Sequence, residues 1–343
     1  MGRSGQEPLH SNKRSAVMSD WKIFRGDETI HDGIVGLPDP PPWRFPRAAK
    51  QISPATDTTE PESLRAASFR PTAEMIQAVN AALYLRRPLL LSGKPGGGKS
   101  TLISKVANEL RLGRVLRWPI NSRSTVKGGV YDYDAVGRLQ AGAGEAPPVQ
   151  DYLRLGPLGT ALIAKGRPCA LLVDEIDKSD LDFANDLLNV IEDGEYEIAE
   201  LKRLRADTVT VLDHWGDPVT ISNGRLAADH FPFVIMTSNA EREFPAPFLR
   251  RCIRLDVAAP DRKQIERIIE AQLSKASIGD LQVKALIDEF LVANTASSVS
   301  TDQLLNAIFL TVTMRDGDRR TFDDSELAAL RATLMRQIGG ATP

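Results

Sequence analysis

Leu89-Leu90-Leu91-Ser92-Gly93-Lys94-Pro95-Gly96-Gly97-Gly98-Lys99-Ser100 is an apolar run that opens into G-x-x-x-x-G-K-S. An amphipathic stretch follows at once, with Leu102, Ile103, Val106, Ala107 and Leu110 at helical spacing and Gly113 at its end. Strand, loop and helix in that order are the context that gives this motif its meaning. Gly96, Gly97 and Gly98 permit backbone angles and close approach that a Cβ forbids, so several amides can converge on one anion. The helix start adds partial positive charge, Lys99 can reach a β- or γ-phosphate, and the Ser100 hydroxyl can ligate Mg²⁺. With Gly93, Lys94, Pro95 and Thr101 the segment forms a cradle for a nucleoside triphosphate.

A second motif sits where the first requires one. Ala170-Leu171-Leu172-Val173-Asp174-Glu175 is an apolar strand ending in two carboxylates. In such a site Asp174 holds Mg²⁺ and Glu175 polarises the attacking water as general base. Asp177 and Lys178, just beyond, read as a solvated loop. A third strand, Phe233-Val234-Ile235-Met236-Thr237-Ser238-Asn239, ends in an amide that can place the lytic water between the γ-phosphate and Glu175. Then comes Phe248-Leu249-Arg250-Arg251-Cys252, with two guanidinium groups ahead of the strand Ile253-Arg254-Leu255. One of them can act as a finger on a neighbouring subunit's nucleotide, Arg251 first and Arg250 second.

Composition sets the frame. The 343 residues are 42% hydrophobic and 26% charged, with net charge −2, enough for one large or two medium cores and without a global basic bias. Lys202, Arg203 and Arg205 form a short basic cluster, but no aromatic stacking series accompanies it, which argues against nucleic acid. Cys169 and Cys252 lack metal-type spacing partners and read as reduced hydrophobes. The chain shows no apolar leader and no 18-residue apolar run, so the expectation is a cytoplasmic protein without a membrane span.

Residues 1–66 read as a proline-rich, partly ordered arm. Trp21, Ile23, Phe24, Ile34, Leu37, Trp43 and Phe45 predict that part of it docks, while Gln51 to Glu62 reads as a mobile linker. Residues 67–259 alternate apolar runs with amphipathic helices, which predicts a central parallel sheet flanked by helices. Strands are expected at Pro88–Ser92, Val115–Asn121, Cys169–Asp174, Phe231–Ser238 and Ile253–Val257. Helices are expected at Thr72–Leu85, Ser100–Leu112, Gly159–Lys165 and Phe183–Glu192. Residues 260–343 read as a small all-α domain, with helices at Ile265–Leu273, Val283–Val292, Thr301–Val312 and Ser325–Ile338.

The four site motifs in this order resemble the AAA+ ATPases, in detail the MoxR-like branch, over about residues 70–312. Tyr152-Leu153-Arg154-Leu155-Gly156-Pro157-Leu158-Gly159 matches the G-P-L that follows a hairpin inserted in a helix in that family, with residues 124–133 leading into the insert. The stretch Asp207–Leu226, with Val209, Val211, Val219 and Ile221 around Gly216-Asp217-Pro218, looks like its hairpin before the Asn239 strand. Asn121 stands where related ATPases carry a polar residue that restrains the catalytic Glu. The resemblance implies a Mg²⁺-dependent ATPase working as an oligomer, hexameric as in the family, that remodels a protein client such as a von Willebrand factor A-type protein. One position departs from the pattern: Asp302 stands where many lids carry an arginine against the γ-phosphate, and an acid cannot serve there. A nucleotide-gated assembly switch with weak hydrolysis, in a bacterial signalling or conflict setting, is the alternative reading.

Overall fold

The computed structural model describes residues 21–44, 50–55, 69–141, 147–273, 281–296 and 300–316, with residues 329 and 333. The chain runs through α1 (Ala73–Leu85), β1 (Leu89–Ser92), α2 (Lys99–Glu109), β2 (Leu116–Pro119), α3 (Val126–Val130), β3 (Tyr131–Tyr133) and α4 (Ala135–Ala141). Next come β4 (Leu153–Leu155), α5 (Pro157–Ile163), β5 (Ala170–Asp174), α6 (Leu181–Asp193), β6 (Glu195–Glu197) and α7 (Ala199–Lys202). β7 (Thr208–Leu212), β8 (Pro218–Ser222), β9 (Arg225–Ala227), β10 (Phe233–Ser238), α8 (Ala246–Arg251) and β11 (Ile253–Asp256) follow. The last described helices are α9 (Arg262–Gln272), α10 (Leu281–Ala296) and α11 (Thr301–Asp316). Of the helix expected at Ser325–Ile338 only residues 329 and 333 lie among the described residues.

Five strands form one parallel sheet in the order β11-β1-β10-β5-β2. Its three inner strands, β1, β10 and β5, read as apolar runs because both faces are covered, while the edge strands β2 and β11 alternate. Leu89, Leu91, Ala170, Leu172, Phe233 and Ile235 face one core, which α1 and α2 complete through Val79, Leu83, Leu102, Ile103 and Val106. Leu90, Leu171, Val173, Val234 and Met236 face the other, with Leu158, Leu162, Leu187, Leu188 and Ile191 from α5 and α6. The result is an α/β core with a central parallel sheet flanked by helices. α9, α10 and α11 pack around a separate cluster of Ile265, Ile269, Ile287, Phe290, Leu304 and Ile308, a small helical lid.

The second sheet, in the order β3-β4-β7-β8-β9-β6, carries the expected hairpin. β7 and β8 are antiparallel, with Val209 opposite Ile221 and Val211 opposite Val219. Alternate residues of β7 are buried and exposed, so its inner valines join the core of α5 and α6.

The arm docks, as its hydrophobes predict. Phe24 and Ile34 are fully buried in the core behind α1 and α2, and burial of each contributes roughly 1.5–3 kcal/mol. Asn80 on α1 accepts from the Ile23 and Phe24 amides (2.8 and 3.0 Å) and donates to the Phe24 carbonyl (2.7 Å). Glu109, closing α2, accepts from the Arg25 amide at 2.6 Å and the Gly26 amide at 3.0 Å. Trp21 and Trp43 stay exposed and Phe45 lies outside the described residues, so the smaller hydrophobes hold the arm. The linker expectation fails where it can be checked. Ile52 is buried, the Ser53 amide donates to the Gly166 carbonyl (2.8 Å), and the Ala55 amide donates to Asp32 (2.8 Å). The polar stretch around Ile52 hides one residue with a place in the core; residues 56–62 lie outside the described residues.

Candidate functional site

Parallel pairing sets the site. β1 lies beside β10 with Ser92 level with Ser238, and β5 lies on the other side of β10 with Val173 level with Met236. The carboxyl ends of three strands therefore deliver the loop after Ser92, the pair Asp174-Glu175 and the amide of Asn239 to one edge, where open α/β sheets bind ligands.

At that edge lies a cleft of about 480 Å³, lined among others by Pro95, Gly96, Gly97, Gly98, Lys99, Ser100 and Thr101, by Asp174, Glu175 and Asn239, and by Thr301 of the lid. Gly98 is the residue before α2, at φ +79°, and a Cβ there would meet the Phe69 ring at 2.3 Å. Gly96, at φ +86°, passes so close to Thr301 that a Cβ would lie 2.3 Å from its hydroxyl. Both positions demand glycine. The amides of residues 96–100 donate to no protein acceptor among the described residues, as the unpaired first turn of a helix should. Amides so placed are free to converge on an anion. Gly93 and Lys94 do not line the cleft; their carbonyls accept from the Lys99 ammonium, the latter at 3.0 Å.

Side chains continue the network. Lys99 Nζ also donates to Asn239 Oδ1 (3.0 Å), and Asn239 Nδ2 donates to Glu175 Oε1 (3.3 Å). The ammonium is mostly buried, and burial pushes its pKa down while Asp177, Asp174 and Glu175 work against that fall. Ser100 Oγ donates to Asp174 Oδ1 (2.8 Å), so a hydroxyl and a carboxylate stand together at the phosphate end, hard oxygen donors of the kind Mg²⁺ takes. Among the described residues no group of three or more His, Cys, Asp or Glu could hold a metal by itself. Glu175 sits in the left-handed region at φ +60°, ψ +49°, a strained state of the sort found at functional sites.

Thr237 supports that strain and was not anticipated. Its hydroxyl accepts from the Glu175 amide (2.9 Å) and donates to Asp174 Oδ1 (2.5 Å), tying both acids to β10. Its one signal in sequence was polarity at the end of an apolar run. Asp177 corrects the solvated-loop expectation. It is 4% exposed, and its Oδ2 accepts from the amides of Asn239 (2.9 Å) and Glu241 (3.2 Å). Lys178 does reach solvent, yet donates to Glu175 Oε2 at 2.5 Å. Asn121 does not touch Glu175; its side chain accepts from the Arg123 amide (2.8 Å) and closes its own turn.

The arginines of α8 lie away from the cleft of their own chain. Arg251 donates to Glu192 Oε2 (2.6 Å) and Asn189 Oδ1 (2.8 Å), while Arg250 is exposed. Arg44 from the arm takes the other Glu192 oxygen at 2.5 Å. Burial alone would raise the Glu192 pKa, but hydrogen bonds from Arg251 and Arg44 outweigh it and hold the carboxyl below its ordinary value. Asp302 of the lid is exposed, accepts from Asn306 (3.1 Å) and stays out of the cleft, which the lid meets through Thr301, Gln264, Arg267 and Ile268.

Residues 88–252 match the family described as AAA domain (dynein-related subfamily), a stretch covering β1 through α8. Among solved structures, a closed-state cryo-EM reconstruction of Hsp104 with ATPγS and casein is similar over 76% of this chain at 18% identity and TM-score 0.38. Domain III of the Thermotoga maritima replication initiation protein DnaA is similar over 80% of this chain and 99% of its own, at 14% identity and TM-score 0.45. The chain spans less than half, 45%, of the Hsp104 chain. No curated protein matches it in sequence. Among the described residues no helix is long and apolar enough to cross a membrane.

Proposed function

We propose that this protein is a Mg²⁺-dependent, ATP-hydrolysing AAA+ protein of the MoxR-like kind that works in the cytoplasm as an oligomeric ring, hexameric by analogy, and remodels a protein partner. Its units in this reading are an arm (1–66), the ATPase body (67–259) and the lid (260–343). The observation that carries it is the continuous contact from Lys99 through Asn239 to Glu175, beside the Ser100–Asp174 pair. The loop amides and Lys99 bind phosphates. Ser100 and Asp174 hold the metal, which neutralises phosphate charge when bound. Glu175 takes a proton from water, and Asn239 places that water. Arg251 is the finger for a neighbour's nucleotide, with Arg250 second; outward placement on α8, away from its own cleft, fits a group that acts on another subunit. A von Willebrand factor A-type client rests on family resemblance alone.

One observation favours a slower device, a nucleotide-gated assembly switch: Asp302 is turned out of the cleft, so its position supplies no cation to the γ-phosphate. Arg267, which does line the cleft, keeps a lid cation within the site and weighs for the active enzyme. Glu175→Gln tests the proposal. It should bind ATP as wild type does and lose about 10²–10⁴ in turnover, the usual worth of a general base. Turnover at the wild-type rate would remove Glu175 from the mechanism.

A further inference from the structure

The contacts around Glu175 end on a residue that neither motif requires. Oε1 accepts from Asn239 and Oε2 from the Lys178 ammonium at 2.5 Å, so both oxygens of the base are engaged. The ammonium on Oε2 stands where a water would have to approach to hand over its proton. Beside this pair lies a hollow of about 410 Å³ lined by Asn121, Ser122, Asp177, Lys178, Glu241 and Arg242. Asp177 is the unusual member. Its Oδ2 takes two amides, while its buried Oδ1 has no hydrogen-bond partner, a costly state for a carboxylate oxygen. The positive charge of Lys178 already feels Glu241 and Asp177, though more weakly than Glu175. The Lys178 side chain is 43% exposed and Glu175 40%, so the pair is of the weak, solvent-screened class and is easily broken.

We propose that Lys178 is a latch on the base: it occupies Glu175 Oε2, and hydrolysis requires its ammonium to leave Oε2 for the hollow lined by Asp177 and Glu241. Lys178 is thus a positioning residue that acts through Glu175. The move exchanges one carboxylate partner for another and frees Oε2 to receive the water proton. This inference rests on the reading of Glu175 as general base.

The test compares Lys178→Met, Lys178→Arg and Glu175→Gln in the full chain, reading steady-state kcat and KM for ATP and the single-turnover hydrolysis rate. Lys178→Met should raise kcat and the single-turnover rate about two- to fivefold with KM unchanged, as loss of a weak exposed pair implies. Lys178→Arg, which keeps the charge, should stay at the wild-type rate. A fall in rate for Lys178→Met that Lys178→Arg restores would make Lys178 an aid to the base and overturn the latch. No change in Lys178→Met would also overturn it. Wild-type turnover in Glu175→Gln would be a separate failure, that of the base assignment itself.

Discussion

The phosphate end of the cleft and the arginine corner of α8 lie in one domain but are finished differently. Around Lys99, Ser100, Asp174, Glu175 and Asn239 the polar side chains converge on one cleft, and the pieces meet because three parallel strands end side by side. At α8 the guanidinium of Arg251 is held by Glu192 and Asn189, outside its own cleft, and Arg250 faces solvent. The first region gathers its polar groups on one cleft. The second keeps its arginines out of that cleft. The arm connects them: Phe24 and the Glu109 contacts hold it behind the phosphate loop, and Arg44 shares Glu192 with Arg251.

The largest effect should come from the outward region. Arg251→Ala should bind ATP as well as wild type and lose about 10³–10⁵ in turnover, measured by steady-state hydrolysis at a protein concentration that supports rings. Mixing it with Glu175→Gln subunits should restore turnover, because each variant then supplies what the other lacks. Failure of the mixture would place Arg251 in a role within its own chain and bring Arg250 forward.

Smaller effects sharpen the role of the arm. Phe24→Ala removes a fully buried ring and should cost about 3–5 kcal/mol in chemical denaturation, since a cavity opens behind α1 and α2. Glu109 gives a dependence on pH. Burial pushes its carboxyl up to about 7, against hydrogen bonds from the Arg25 and Gly26 amides and the charge of Lys105, which pull it down. A folded-state pKa above the unfolded one means that the folded chain binds the proton more tightly. Stability from this group is therefore full below pH about 4.5 and lost as pH rises toward about 7, on the order of 3 kcal/mol in all. Thermal unfolding of wild type should show that decline between pH 5 and 7.5, and Glu109→Gln should flatten it. An equal slope in both would assign the decline to other groups.

The five strands, three of the lid helices and the residues Lys99, Ser100, Asp174, Glu175 and Asn239 that meet at the cleft are legible in sequence, because each rests on local chain chemistry: apolar runs, helical spacing, or polar residues at a strand end. The sequence does not show the partners that depend on folding. Asp177 reads as solvent-facing from its polar neighbours, yet it is buried because the Asn239 and Glu241 amides fold over it. Thr237 matters only because β10 runs between β1 and β5. Ile52 lies in a stretch of linker composition and is placed by the loop at Gly166. Arg267 carries no motif and reaches the cleft only because the lid packs there.

An active site shared between subunits is tested most directly by ATP hydrolysis per subunit against protein concentration, with mass photometry at the same concentrations in ATP. A specific rate that climbs as rings appear is the predicted result. A rate independent of concentration, or rings that form on ATP and hydrolyse almost nothing, would contradict it.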